Sequence, residues 1–299
     1  MKPKPVKTTA AGKAYLLLQS KARQEHRPTD ELVQIYVLEG FLDRLAASRY
    51  ASKLVLKGGV LLAAYDVRRP TRDIDFQGRQ LVNDGETIMK LVKDVTAIRV
   101  ADGLDFDASG ASVETIRDGT GDEYSGIRVT LRCSLATANV VFHIDVNVGD
   151  PIWPLAQMVT LPRLLGKDLS LSGYPLPMVY AEKVVTALQR GTANTRWRDF
   201  ADIYLLSRRH SIEGRDMRRA IVEVARFRRV DLVPLANVLD GFESIGQSRW
   251  VLWRRKQTME ERLPASFAEV LAANICFADP VIADAVLTKF WNASALAWQ

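Results

Sequence analysis

Cysteine and histidine are scarce in this chain, and their scarcity narrows the chemistry. Two cysteines, Cys133 and Cys276, lie far apart, and three histidines (His26, His143, His210) have no ligand partners at metal-binding spacing. A disulfide framework and a zinc site are therefore both excluded. No base is placed beside a serine or cysteine as a nucleophilic triad requires, which sets acyl transfer aside. No apolar run reaches the roughly 18 residues of a membrane span. The opening segment, MKPKPVKTTAAGKAYLLLQSK, lacks the apolar core and cleavage site of a secretory leader. The expectation is a soluble cytoplasmic protein with no membrane partner. No fixed-period repeat is visible.

What remains is an ordinary globular composition, 47% hydrophobic and 25% charged over 299 residues. That excludes a wholly disordered or fibrous chain and is enough to bury a core without staples. Forty-one basic residues against thirty-five acidic ones give a net charge of +6. Such a surplus suits a polyanionic partner, and it serves solubility equally well.

Periodicity divides the chain. Residues 1–27 are basic and weakly patterned, a tail or a loosely docked helix. Asp30 and Glu31 suit a helix N-terminus, and Leu32, Ile35, Tyr36, Leu38, Leu42 and Leu45 recur at helical spacing to about Ser48. Lys53–Leu56 reads as a strand broken at Gly58–Gly59, Val60–Tyr65 as helical, Arg68–Arg72 as a loop and Asp73–Phe76 as a new strand. Residues 84–98 form a second surface helix. Strands follow at Ser112–Ile116, Ile127–Leu135 and Val140–Val148. In the second of these Arg128, Thr130 and Arg132 share one face; in the third His143, Asp145 and Asn147 do. Prolines 151, 154, 162, 175 and 177 mark a connector. Helical patterns then cover 178–190, 198–209, 214–227, 231–245, 248–260, 266–275 and 280–296. The expected fold is α+β: a mixed sheet with helices over 1–170, then a helical domain over 171–299.

The chemistry concentrates in KGGVLLAAYDVRRPTRDIDFQG, residues 57–78. Asp73 and Asp75, two apart on a strand, project from one face. Paired carboxylates supply the hard oxygen ligands that Mg²⁺ takes alongside phosphate oxygens. Gly58 and Gly59 let the backbone approach a phosphate closely. Asp145 lies within the apolar run Val-Phe-His-Ile-Asp-Val-Asn-Val, a costly place for a charge unless it is paired, metal-bound or escaping to water at the strand end.

The Gly-Gly…Asp-x-Asp pattern resembles nucleotidyltransferases of the polymerase-β type. Downstream, the run YAEKVVTALQR (180–190) followed by RWRDFADIYLL (196–206) resembles the AbiEii family of nucleotidyltransferase toxins, and is similar to the related MenT toxins, which modify tRNA. The likeness covers about residues 50–210. Val60 stands where many members have Ser or Thr after the glycines, so any regulation through that hydroxyl is in doubt here.

The resemblance implies that Asp73, Asp75 and Asp145 bind two Mg²⁺ ions, with Asp145 also activating the attacking hydroxyl. It implies that Lys57, Gly58, Gly59, Arg72 and Lys183 hold the NTP, and that Lys183 and Asp202 reach the same cleft. Surface alternatives stand beside these roles: a snorkelling lysine for Lys183 and an Arg198–Asp202 helix pair. Arg68, Arg69 and Arg72 read as phosphate or RNA contacts, or as solvated loop charge. The arginine-rich stretch from Arg208 to Arg229, with Arg226, Arg228 and Arg229 at its end and Trp250 and Trp253 beyond, reads as an RNA platform or as ordinary helix faces. The implied activity is metal-dependent transfer of nucleotides from NTP to the 3′ end of tRNA at its acceptor stem, blocking growth, with a cognate antitoxin as partner. The alternatives are nucleotidylation of a protein or small-molecule hydroxyl, and a catalytically silent nucleic-acid-binding module.

Overall fold

The computed structural model describes residues 5–117 and 125–299, and its contacts divide them into two units. The first comprises residues up to 64, 68–149 and 157–173; the second comprises 65–67, 150–156 and 174–299.

The first unit opens with α1 (Ala10–Gln24), capped by the Thr9 hydroxyl, which accepts the Gly12 N–H at 3.0 Å. The basic N-terminal region is thus a docked helix, because Ala14, Leu18 and Ala22 form one buried stripe among its charges. Helix α2 (Thr29–Ala46) carries Asp30 and Glu31 in its first turn, where they meet the positive end of the helix dipole, and is buried along most of its length. Strand β1 (Leu54–Lys57) runs into the short helical turn α3 (Gly58–Leu61), and β2 (Asp73–Gly78) returns antiparallel to β1. Helix α4 (Gly85–Thr96) begins where the Asp84 side chain accepts the Thr87 N–H at 2.8 Å. Strands β3 (Asp105–Arg117), β4 (Ser125–Leu135) and β5 (Ala138–Val148) form a meander, with β3 bulged between Asp107 and Ser112.

Two further strands, β6 (Gln157–Leu161) and β7 (Leu169–Gly173), occupy what the prolines mark as a connector. Their apolar residues alternate, Val159 and Leu161 facing inward on one, Leu169 and Leu171 on the other. The result is a seven-stranded mixed sheet in the order β3-β4-β5-β2-β1-β7-β6. One face is apolar: Phe142, Ile144 and Val146 of β5 are fully buried, and Phe142 packs edge-on to Phe41 of α2 at 6.2 Å. The strand period of two therefore sends Asp73, Asp75, His143 and Asp145 to the other face.

In the second unit, α5 (Leu176–Arg190) and α6 (Trp197–Ser207) precede the two-residue strand β8 (Ile212–Glu213) and α7 (Gly214–Arg228). A short α8 (Leu235–Val238), then α9 (Phe242–Lys256) and α10 (Phe267–Ile282), complete the helices. The expected helices over 231–245 and 280–296 do not form. The latter stretch holds β9 (Phe290–Asn292) and β10 (Ala297–Trp298), which make a three-stranded sheet with β8. Tertiary burial overrides local pattern there. Trp291 and Trp298 lie 4.8 and 5.8 Å from Phe277, and Trp291 Nε1 donates to the Ser207 carbonyl at 2.6 Å. Among the described residues, no helix is long and apolar enough to cross a membrane.

Candidate active site

The first cluster is a row of charges running across four strands of the first unit. Lys57 on β1 lies opposite Asp75 on β2; Asp75 lies opposite Asp145 on β5; Asp145 lies opposite Arg128 on β4. Two carboxylates are thus flanked by two cations. The next row brings Asp73 beside His143, whose Nδ1 is 2.9 Å from the Thr130 hydroxyl. Adjacent strands are about 4.8 Å apart, so Asp73, Asp75 and Asp145 gather on one patch, as the strand pattern predicts.

Gly58 makes room for this patch. Its φ is +66°, a conformation that side chains other than glycine disfavour, and a β-carbon added there would fall 1.9 Å from Asp75 Oδ2. Gly59 is pressed in the same way, since its β-carbon would lie 3.0 Å from the Thr71 hydroxyl and 3.1 Å from Arg69 Nη1. A small pocket borders Gly59 and Val60, with Glu39, Arg68, Arg69 and Thr71 in its lining.

The third carboxylate has a partner within the protein. Arg128 Nε donates to Asp145 Oδ1 at 2.8 Å and Nη2 to Oδ2 at 2.7 Å. Both oxygens of Asp145 are engaged by Arg128, and among the described residues no three His, Cys, Asp or Glu side chains are arranged to hold an ion. Hydrogen bonding to Asp145 raises the Arg128 pKa further above its already high value. Asp73 and Asp75 alone still fit Mg²⁺, which is commonly held by one or two carboxylates together with substrate phosphates.

The loop arginines part company. Arg68 Nη1 donates to Glu39 at 2.6 Å, and its other terminal nitrogen contacts the Pro162 carbonyl, so Arg68 ties the loop to α2. Glu39 is buried, which raises its pKa despite Arg68 and the Leu164 N–H at 2.9 Å. Arg69 is buried beside Gly59, while the side chain of Arg72 stays exposed.

The second cluster belongs to the second unit. Lys183 Nζ on α5 donates to Asp202 Oδ2 at 2.7 Å and Asp199 Oδ1 at 3.0 Å, both on α6. Arg196 Nε adds a bond to Asp199 at 2.7 Å. Side-chain exposure is 10% for Lys183, 5% for Asp199 and 0% for Asp202. Burial opposes ionisation of Asp199, but Lys183, Arg196 and Arg198 hold its carboxyl well below the usual range. Neither surface alternative survives: Lys183 is no snorkelling residue, and Asp202 accepts from Lys183.

The arginine-rich stretch is largely occupied by local partners. Arg228 donates to the Thr186 hydroxyl at 2.9 Å, Arg218 pairs with Asp284 at 2.6 Å, and Arg208 lies 3.4 Å from the Tyr204 ring centroid. Trp250 is fully buried and donates to the Pro264 carbonyl at 3.0 Å, so it is a core residue and offers no face to a base. Arg229 closes α7 in the left-handed conformation, at φ 54°. Arg226 is exposed, with Glu223 at 3.6 Å. The expected platform of Arg226, Arg228 and Arg229 therefore loses Arg228 to helix packing.

Arg128 and Asp199 had no role in the sequence reading. Both were written in the motifs: Arg128 shares a strand face with Thr130, and Asp199 is the first carboxylate of Arg-Asp-x-x-Asp.

Compared with known proteins, residues 40–273 match the family model described as nucleotidyl transferase AbiEii toxin, type IV toxin–antitoxin system. No curated protein matches significantly. Among solved structures, a Helicobacter pylori protein described as a nucleotidyltransferase is 14% identical, covering 86% of this chain and 96% of its own at a TM-score of 0.48. JHP933 from Helicobacter pylori is 13% identical, with 86% and 93% covered and the same TM-score of 0.48.

Proposed function

This chain belongs to the AbiEii family of nucleotidyl transferase toxins of type IV toxin–antitoxin systems, and from that premise we propose that it transfers nucleotides from an NTP to the 3′ end of tRNA. The observation that carries the reading is the patch in which Asp73 and Asp75 share one face of β2, with Asp145 in register beside them and Gly58 recessed below Asp75. In this reading Asp73 and Asp75 hold Mg²⁺, which supplies charge neutralisation and orientation at the transferring phosphoryl group. Gly58 keeps the Asp75 carboxylate where it can ligate. Lys57 and Arg72 add positive charge for the triphosphate, and Asp145, when not held by Arg128, serves as the third carboxylate that helps bind metal and activate the attacking hydroxyl. The chain contributes positioning and electrostatics with no covalent intermediate. A cognate antitoxin follows from the toxin–antitoxin family.

The occupied arginines around Arg228 favour one second reading, in which the acceptor is a protein hydroxyl that needs no long basic surface. One experiment separates the two. Each α-labelled NTP is incubated singly with total RNA or with soluble protein, and RNA 3′ ends are sequenced. The expected result is label on tRNA 3′ ends, lost with EDTA and in Asp75→Ala. Label on protein alone supports the second reading, and full activity of Asp75→Ala overturns both.

A further inference from the structure

One contact in the charged row has no part in the scheme above. Arg128 and Asp145 face each other in direct register on neighbouring antiparallel strands, and the guanidinium chelates both carboxylate oxygens at 2.8 and 2.7 Å. On the opposite side of Asp145 lies Asp75, also in register. Asp145 therefore stands between a fixed cation and the carboxylate pair that would ligate a mobile one. The guanidinium is not sealed in: its side chain is 30% exposed, against 11% for Asp145. Only Nε and Nη2 are spent on Asp145, so Nη1 lies outside the chelate.

A guanidinium keeps its charge in this setting, so water or another anion must take the place of Asp145 when it leaves, and an anion does so at the smaller cost. The anion best matched to its planar fork, besides a carboxylate, is a phosphate. The arrangement is thus that of a clamp with a defined release.

We propose that Arg128 is a positioning residue that competes with the divalent cation for Asp145, holding this third carboxylate closed until a nucleoside triphosphate takes over the guanidinium. This rests on the nucleotidyltransfer reading above and assigns its site an order of assembly. Metal binds weakly to the protein alone, the triphosphate draws Arg128 from Asp145, and Asp145 then joins Asp73 and Asp75. Metal and nucleotide bind cooperatively as a result, because each removes the obstacle to the other.

The test measures Mn²⁺ binding calorimetrically, with no turnover, to the parent, Arg128→Gln, Arg128→Lys and Asp75→Ala. Each is titrated alone and with an α,β-methylene NTP analogue. In the parent, the analogue is expected to tighten Mn²⁺ binding on the order of tenfold, the scale of one charge-assisted contact. Arg128→Gln is expected to bind Mn²⁺ about that much more tightly without the analogue, and to gain little when it is added. Arg128→Lys, which keeps the charge but cannot bridge both oxygens, falls between them. If Arg128→Gln does not fold, as judged by circular dichroism, the lysine variant carries the same comparison.

A purely structural pair lowers the unfolding temperature of the variants and leaves their Mn²⁺ titrations like the parent's; that result overturns the inference. Weaker metal binding in the variants overturns it as well. The two proposals fail separately. Binding that depends on Asp75 but is indifferent to Arg128 removes only the clamp, whereas parent titrations that Asp75→Ala does not alter remove the metal site itself.

Discussion

Two regions of this chain gather carboxylates around cations in different surroundings. In the first unit, Asp75 and Asp145 lie in a row between Lys57 and Arg128 on a sheet face that leaves Asp73, Asp75 and Arg128 part-exposed. In the second, Lys183, Asp199 and Asp202 are sealed between α5 and α6. Ion pairs that water can reach exchange partners at little cost, while a buried pair cannot lose one member without stranding the other. Residue type and spacing do not separate these cases. Exposure of the cation separates them most: the Arg128 side chain is 30% exposed and that of Lys183 10%, while Asp145, at 11%, is buried much like Lys183.

The sharpest way to break this comparison is to remove the cation from each cluster. Lys183→Ala leaves Asp199 and Asp202 as uncompensated buried charges and should cost about 3–5 kcal/mol of stability. Arg128→Gln, which leaves the buried Asp145 with a neutral partner that can still donate a hydrogen bond, should cost about 1–3 kcal/mol. Urea unfolding of both variants checks the contrast. Equal losses would mean that the two clusters are equally structural.

A smaller effect sharpens the same point from the backbone side. Gly58→Ala places a methyl where Asp75 Oδ2 lies, at a φ of +66°. The conformational penalty is about 1–2 kcal/mol. Displacing the Asp75 carboxylate by an ångström should lower transfer about a hundredfold, well beyond what the stability loss explains. Activity that falls only in proportion to the folded fraction would detach Gly58 from the site.

Local pattern made much of this legible. Alternation in 127–135 and 140–148 assigned the polar faces, and the i, i+2 spacing of Asp73 and Asp75 put both on one of them. What local pattern cannot encode is register between strands and contact between helices. Arg128 is 17 residues from Asp145, and Lys183 is 16 and 19 residues from its two acids. A charge at such separations has no visible partner in the sequence, so Arg128 read only as a face residue and the pairing of Lys183 with Asp199 was not legible. Strands β6 and β7 were masked by a different cause. Five prolines in 151–177 outweighed short alternating runs that pair only with each other and the sheet edge. The C-terminal β9–β10 pair depends on aromatic contacts with Phe277, which lies in another element.

The smallest effect concerns pH, and it separates the units by sign. Asp199 has its carboxyl held below the ordinary value of 3.8, burial being outweighed by Lys183, Arg196 and Arg198. The folded state therefore binds that proton less readily than the unfolded state. Its stabilisation is complete above 3.8 and is lost as pH falls through the lowered value. Glu39, in the first unit, is displaced the other way, because burial raises it above 4.5 despite Arg68. The folded state binds its proton more readily, so its contribution is complete below 4.5 and declines as pH rises through the raised value. Asp199→Asn should accordingly flatten the acid limb of the stability profile below pH 3.8, and Glu39→Gln should flatten the decline that begins above pH 4.5. Chemical unfolding at half-unit pH intervals reads both limbs. If both variants change the same limb, the opposite charge environments assigned to Asp199 and Glu39 are wrong.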